Sequence, residues 1–71
     1  MTPQQITIIR HQLLLSAAQM APLLGYVGPA GRQMVYDLER GRRTLREAQR
    51  RLLEAYLAGY RPADWPDAPF A

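Results

Sequence analysis

The side chains with the most specific hydrogen-bonding chemistry in this sequence fall within residues 29–43. The stretch contains Gln33, Tyr36 and Asp37. Four arginines accompany them: Arg32, Arg40, Arg42 and Arg43. Glutamine pairs bidentately with adenine, and arginine pairs with guanine and with phosphate. These residue types favour a partner that carries base edges and phosphates, although an ordinary solvated helix face has a similar composition.

The positive charge of the chain comes from arginine alone. The 71 residues include nine arginines and no lysine, and the formal net charge is +3. Seven of these arginines lie between Arg32 and Arg51, opposed by three carboxylates, Asp37, Glu39 and Glu47. Arginine without lysine suits bidentate recognition of phosphate and guanine. A GC-rich genome produces the same bias, so composition alone supports a polyanionic partner only weakly.

Several classes of function lack the residues that they need. The chain has no cysteine and one histidine, His11, which excludes a disulfide framework and a thiolate or histidine metal site. No paired carboxylates lie at helical spacing in a plausible pocket, and neither a nucleophile–histidine pair nor a phosphate-binding glycine loop is evident. We therefore expect no catalysis, no cofactor and no small-molecule substrate. No apolar run reaches the ~20 residues of a membrane span, and no secretory signal is recognisable, so we expect a cytoplasmic protein without membrane contact.

Capping signals divide the chain into four helices. Three pairs fit the capping box, in which a cap and the third residue after it satisfy each other's amides: Thr2 with Gln5, Ser16 with Gln19, and Thr44 with Glu47. Glycines at 25, 41 and 59 fall where helices should stop. The sequence predicts helices over 3–14, 17–24, 29–40 and 45–58, no sheet, and thus a compact all-α four-helix domain over residues 1–59.

Apolar residues recur at helical spacing in each segment. The predicted inward stripes are Ile6, Ile9 and Leu13; Met20, Leu23 and Leu24; Gly31, Val35 and Leu38; and Leu45, Ala48, Leu52, Ala55 and Tyr56. Pro22 lies inside the second helix, where we expect a tolerated bend. Arg10, His11 and Gln12 should face solvent on the first helix. Tyr26 and Val27, in the turn after the second, should pack against the core.

Helical geometry separates the two faces of segment 29–40. If Val35 points inward, a rotation of about 100° per residue puts six residues on the opposite face: Pro29, Ala30, Gln33, Tyr36, Asp37 and Arg40. Arg32 falls at the boundary. We expect Arg32, Gln33 and Tyr36 to contact bases, with Asp37 a weaker candidate. The expected phosphate contacts are Ser16, Arg40, Arg42 and Arg43. For Arg42 and Arg43 the alternative is pairing with Glu39 or Glu47.

Two segments of the sequence together resemble a known family. LSAAQMAPLLGY and VYDLERGRR resemble the first motif helix and turn, and the end of the recognition helix with its arginine-bearing loop, of the lambda-repressor/Cro-like (XRE-type) helix-turn-helix family. The resemblance covers roughly residues 3–58. Ala17 stands where many members have a phosphate-binding glutamine, and the segment between Gly25 and Val35 is about four residues longer than usual. The resemblance implies a domain that reads double-stranded DNA with helix 29–40.

The small size and the words LAGYRPADWP after the last helix also resemble short regulators of phage and mobile elements, such as anti-CRISPR-associated repressors. That resemblance implies a transcriptional repressor that binds an inverted repeat at its own promoter. A homodimer would present two recognition helices about 34 Å apart, in successive major grooves of a palindromic operator.

The last helix and the proline-rich segment 60–71 supply candidate contact residues. Leu53 and Leu57 lie on a face beside the predicted core stripe, which favours a dimer interface formed by Leu53, Leu57 and Trp65. The aromatic tail is expected to pack either on its own core or on a partner subunit. The alternative function is an antitoxin-like or adaptor module that docks on another protein through Leu53, Leu57, Trp65 and Phe70.

Overall fold

Four α-helices form the regular structure of residues 1–67, the part of the chain that this computed structural model describes. They are α1 (Pro3–Gln12), α2 (Ala17–Leu23), α3 (Gly31–Glu39) and α4 (Glu47–Leu57). Residues 1–67 contain no strand. The all-α prediction with four helices is confirmed, although each helix is shorter than predicted. Phe70 lies outside the described residues.

Side chains fix the starts of α1, α2 and α4 in two different ways. The predicted capping boxes of Thr2 and Ser16 are both present. The predicted cap at Thr44 is wrong, because α4 begins after Arg46. The Arg46 amide donates to Gln49 Oε1 at 3.0 Å, while Gln49 Nε2 donates to the Leu24 carbonyl at 3.1 Å. The start of α4 is thus set by a buried glutamine that also binds the end of α2.

The four helices end in the same way, each with a residue of positive φ. Three of these residues are the predicted glycines at 25, 41 and 59, and the fourth is Leu14, with φ 58°. Around Leu14 the Leu15 amide donates to the Arg10 carbonyl at 3.2 Å and the Leu14 amide to His11 at 3.1 Å. This hydrogen-bond pattern normally places glycine at the left-handed position. It stops α1 at Gln12, two residues before the predicted end.

The core joins all four helices. Its buried apolar side chains are Ile6, Ile9, Leu13, Leu15, Ala17, Met20, Ala21, Leu23, Leu24, Val35, Leu38, Leu53 and Tyr56. The predicted stripes of the first three helices are therefore confirmed. Helix α3 packs on both α2 and α1. At Gly31 an added Cβ would lie 2.8 Å from Ala21 Cβ and 3.1 Å from the Tyr26 carbonyl oxygen. Glycine at this position allows α3 to approach α2 closely.

Helix α4 is rotated relative to the prediction. Of the predicted stripe, Tyr56 is buried and Leu45 and Leu52 pack against the core, but Ala48 is exposed. Gln49 and Leu53, which lay outside that stripe, are buried as well. Leu53 is completely buried, so the prediction that it lies on a free neighbouring face is wrong, and its side chain is not available for a dimer interface. The inward rotation lets Gln49 reach Leu24 and lets the Tyr56 hydroxyl donate to the Leu23 carbonyl at 2.6 Å. Burial raises the pKa of this phenol, which therefore remains a hydrogen-bond donor.

The described part of the tail packs on its own chain. Trp65 is partly buried against the core, with its ring 5.2 Å from that of Tyr56 in an edge-on arrangement. The Arg61 guanidinium lies 4.2 Å from the centre of the Trp65 ring and donates to the Tyr56 carbonyl at 2.8 Å. Of the two expected arrangements, packing in the same chain is thus the one observed through Asp67. Part of the Trp65 side chain is covered by this packing.

No helix within residues 1–67 has both the length and the apolar character needed to cross a membrane.

Candidate nucleic-acid interface

Helix α3 has one buried and one polar face, as predicted. Gly31, Val35 and Leu38 are buried. On the other side Gln33 is exposed, and Tyr36 and Asp37 are half-buried. The exposed Arg32 and Arg40 extend this surface at the two ends of the helix. We call Arg32, Gln33, Tyr36, Asp37 and Arg40 the outer face of α3.

The helix begins two residues later than predicted. Pro29 and Ala30 form an exposed turn, and Gly31 is the first helical residue. Ala30 occupies the cap position and has no side chain that can accept from the first amides. The turn is closed by the Gly31 amide, which donates to the carbonyl of Gly28 at 3.3 Å, and Gly28 has a φ of 95°. Arg32 and Gln33 consequently lie in the first turn of α3, next to a stretch with small side chains.

Five arginines on α3 and between α3 and α4 form no ion pair with any side chain of residues 1–67. They are Arg32, Arg40, Arg42, Arg43 and Arg46. The expected alternative, in which Glu39 or Glu47 neutralises Arg42 and Arg43, is wrong. Glu39 pairs with Arg10, while Glu47 pairs with Arg50 and Arg51. Five unpaired guanidinium groups therefore lie within 15 residues, and they suit phosphate oxygens.

Helix α4 has a separate and locally balanced set of charges. Arg50 donates to Glu47 and, at 2.6 Å, to Glu54. Hydrogen bonding from Arg50 lowers the pKa of Glu47 to about 2, and hydrogen bonding from Glu47 raises the pKa of Arg50. Both groups are therefore charged throughout the neutral range. The unpaired positive charge is concentrated on α3 and the following loop rather than along α4.

Arg10 was expected in solvent, and this prediction is wrong. Its side chain is 9% exposed, and Nε lies 2.6 Å from Glu39 Oε2. The second guanidinium nitrogen donates to Glu39 Oε1 at 3.1 Å, and a third donates to the Leu15 carbonyl at 3.1 Å. This pair ties the end of α3 to α1. It has no helical periodicity, so hydrophobic spacing did not reveal it.

The loop after α3 is anchored through its backbone. The amides of Arg42 and Arg43 donate to the Asp37 carbonyl at 2.8 and 3.2 Å. The Arg43 guanidinium lies 5.6 Å from the centre of the Tyr26 ring, and that of Arg40 lies 5.8 Å from the Tyr36 ring. Each contact leaves the guanidinium edge free to donate. The cations after α3 are thus exposed on an ordered turn.

The other residues considered in the sequence analysis differ in their exposure and in their hydrogen bonds. Ser16 accepts from the Gln19 amide at 3.1 Å as the cap of α2, so only its hydroxyl hydrogen is available to a phosphate. Tyr26 is partly buried, as predicted, and its hydroxyl lies 3.4 Å from Gln49 Oε1. Val27, predicted to pack inward, is 81% exposed. His11 and Gln12 are exposed, as expected.

Comparisons with protein-family models, curated proteins and solved structures found no match for this chain. What this surface can bind is therefore inferred from its own side chains. An amide, a phenol and a carboxylate share one helix face with two arginines, and three further arginines follow. Among residues 1–67 no cluster of three or more histidine, cysteine or carboxylate side chains is arranged to hold a metal ion. The arrangement suits hydrogen bonding to base edges with phosphate contacts around them.

Proposed function

We propose that this protein is a sequence-specific, double-stranded DNA-binding transcriptional repressor. In this proposal α2 and α3 act as a helix-turn-helix, and α3 enters the major groove. Arg32, Gln33 and Tyr36 contact bases. Arg40, Arg42, Arg43 and the Ser16 hydroxyl contact phosphates. Repression results from occupying a promoter, the protein's own included, and excluding polymerase, and it needs no enzymatic step.

One observation carries the proposal: a helix whose inner face is locked in the core and whose outer face joins a run of unpaired arginines. Gly31, Val35 and Leu38 hold α3 in place, so its outer side chains project from a rigid support. Arg42 and Arg43 follow on the anchored loop. Phosphate contacts supply affinity and register, whereas base contacts supply sequence preference. Both kinds of group are adjacent here.

A homodimer is part of the proposal. An open groove of about 420 Å³ between α1 and α4 is lined partly by Met1, Ile8 and Leu57. These three side chains are 43%, 55% and 46% exposed. Apolar surface of this kind on a small domain supports contact with a second copy. A two-fold pair would read an inverted repeat with its two α3 helices.

The adaptor alternative has less support from the same side chains. Leu53 is fully buried and Trp65 is packed on Tyr56, so of its four candidate residues only Leu57 is an exposed residue of the described chain.

A binding selection tests the proposed function directly. Purified protein is incubated with a random duplex library, and bound sequences are recovered over several rounds at low and at moderate salt. We expect enrichment of an inverted repeat, and a gel shift with that duplex whose affinity falls steeply as salt rises. Arg61→Ala is a matched control, since Arg61 stacks on Trp65 away from α3. Failure to shift any duplex at low salt would contradict the proposal.

A further inference from the structure

The outer face of α3 contains a hydrogen bond between two of its own side chains. Gln33 Nε2 donates to Asp37 Oδ1 at 3.0 Å, one helical turn away. A carboxylate only accepts hydrogen bonds, so the nitrogen of the Gln33 amide must face Asp37. The usual uncertainty about which way a glutamine amide points is therefore removed by chemistry.

We infer that Asp37 positions Gln33 to read adenine and to reject guanine, an inference that rests on the proposed function. The Gln33 amide has two N–H groups and one oxygen. With one N–H held by Asp37, it offers to the groove one donor and one acceptor. Adenine presents the complementary pair, with N7 as acceptor and the N6 amino group as donor.

Guanine presents two acceptors, N7 and O6. To satisfy both, Gln33 would need two donors, and Asp37 already holds one of them. The Gln33 oxygen would also face guanine O6, and two acceptors in contact repel each other. The preference for adenine over guanine thus has two sources: a matched pair of hydrogen bonds with adenine and a repulsive contact with guanine. Asp37 itself contacts no base, so it is a positioning residue rather than a base-reading residue.

The same hydrogen bond is weak in the free protein, because it is exposed to water. Docking in the groove would exclude water and strengthen it. The Asp37 side chain makes no contact that holds the following loop, since Arg42 and Arg43 bond to its backbone carbonyl. Replacing the side chain therefore leaves the loop anchor in place and changes mainly the orientation of Gln33.

The test compares the base preferences of four proteins in the same random-duplex selection: the wild type, Gln33→Ala, Asp37→Ala and Asp37→Asn. Asp67→Ala is a control for loss of an exposed carboxylate outside α3. Thermal unfolding followed by circular dichroism checks that each variant is folded. In the wild type we expect one position per half-site with about a tenfold preference for adenine over guanine. Gln33→Ala should abolish it.

Asp37→Ala should allow guanine at this position, so that the ratio of adenine to guanine among the selected duplexes falls towards one. Overall affinity should stay equal or rise. Asparagine still offers an oxygen acceptor to Gln33, so Asp37→Asn should keep most of the preference. An unchanged ratio in Asp37→Ala, equal losses in Asp37→Ala and Asp37→Asn, or a Gln33-dependent position that is not adenine would each overturn the inference. If the wild type selects no duplex, the proposed function fails and the inference falls with it. Specific binding with an unchanged ratio removes only the role of Asp37.

Discussion

The guanidinium of Arg10 and the carboxylate of Glu39 form a two-pronged pair, 2.6 and 3.1 Å long, between residues 29 positions apart. Each side chain is only 9% exposed. The pair joins the last residue of α3 to α1, and Arg10 also donates to the Leu15 carbonyl. The pair therefore holds the C-terminal end of α3 against α1.

Removing one partner should destabilise the fold strongly. Glu39→Gln leaves the Arg10 charge buried without its counter-charge, and we expect a loss of about 3 kcal/mol in the free energy of unfolding. Urea denaturation measures it. Glu54→Gln is the matched control, since Glu54 forms an exposed pair and its loss should cost less than about 1 kcal/mol. Similar losses in the two variants would show that the buried pair has no special role.

Substitutions on the outer face and on the following loop should affect DNA binding differently. Gln33→Ala or Arg32→Ala should cost about 1–3 kcal/mol on the selected duplex and flatten its sequence preference. Arg42→Ala should weaken binding to all duplexes alike and reduce the slope of log affinity against log salt by about one. Fluorescence anisotropy at several salt concentrations separates the two effects. Unchanged affinity in both Gln33→Ala and Arg32→Ala would mean that the assigned reading face is wrong.

Leu57 should contribute to dimer formation. Leu57→Glu puts a charge into the groove beside Ile8, and we expect the dimer dissociation constant to rise about tenfold or more. Sedimentation equilibrium measures this constant. Leu14→Asn removes a similarly exposed leucine elsewhere on the surface, in a backbone conformation that asparagine tolerates. Equal association by Leu57→Glu and the wild type would place the interface on another surface.

Gly31 should not tolerate a side chain. In a helix interior alanine is preferred over glycine by about 0.8–1 kcal/mol, but Gly31 is the first residue of α3, where alanine gains less of this preference. Here its Cβ would lie 2.8 Å from Ala21 Cβ, so Gly31→Ala should instead lower the free energy of unfolding by about 1–3 kcal/mol. Adding Ala21→Gly should recover part of this loss. A stabilised single variant would show that α2 and α3 can separate freely.

At Leu14, in contrast, a change to glycine should stabilise the protein. Its φ of 58° is costly for a leucine, and its side chain is 56% exposed. Leu14→Gly should therefore raise the free energy of unfolding by up to about 1 kcal/mol, as measured in urea. A loss of stability would mean that Leu14 gains more from the tail residues beside it than the backbone conformation costs.

Periodicity and capping were enough to predict the helical class and the two faces of α3. Val35 and Leu38 turned inward and Gln33 outward, because a nine-residue helix has one rotation that buries both apolar side chains. The helix stops at Gly25, Gly41 and Gly59 were predicted because glycine favours the left-handed conformation. Local chemistry is sufficient for features of this kind.

The predictions for α4 and for Arg10 were wrong because contacts between residues far apart in the sequence determine their orientation. Helix α4 offered two apolar stripes, and the one containing Leu53 faces the core, where Gln49 also donates to the Leu24 carbonyl. Arg10 was predicted to face solvent because its partner, Glu39 on α3, lies 29 positions away in the sequence. The hydrogen bond between Gln33 and Asp37 was missed for a different reason: its four-residue spacing is visible in the sequence, but spacing alone does not choose between Gln33 and a nearby arginine as the partner of Asp37.

The position of Trp65 gives the protein a built-in spectroscopic probe. It is the only tryptophan in the chain, and its ring lies between the edge of Tyr56 and the Arg61 guanidinium. Its fluorescence therefore reports on whether residues 61–65 are seated on α4, whereas far-ultraviolet circular dichroism reports on the helices. Recording both signals along one denaturation curve shows whether the end of the chain detaches before the helices melt or together with them.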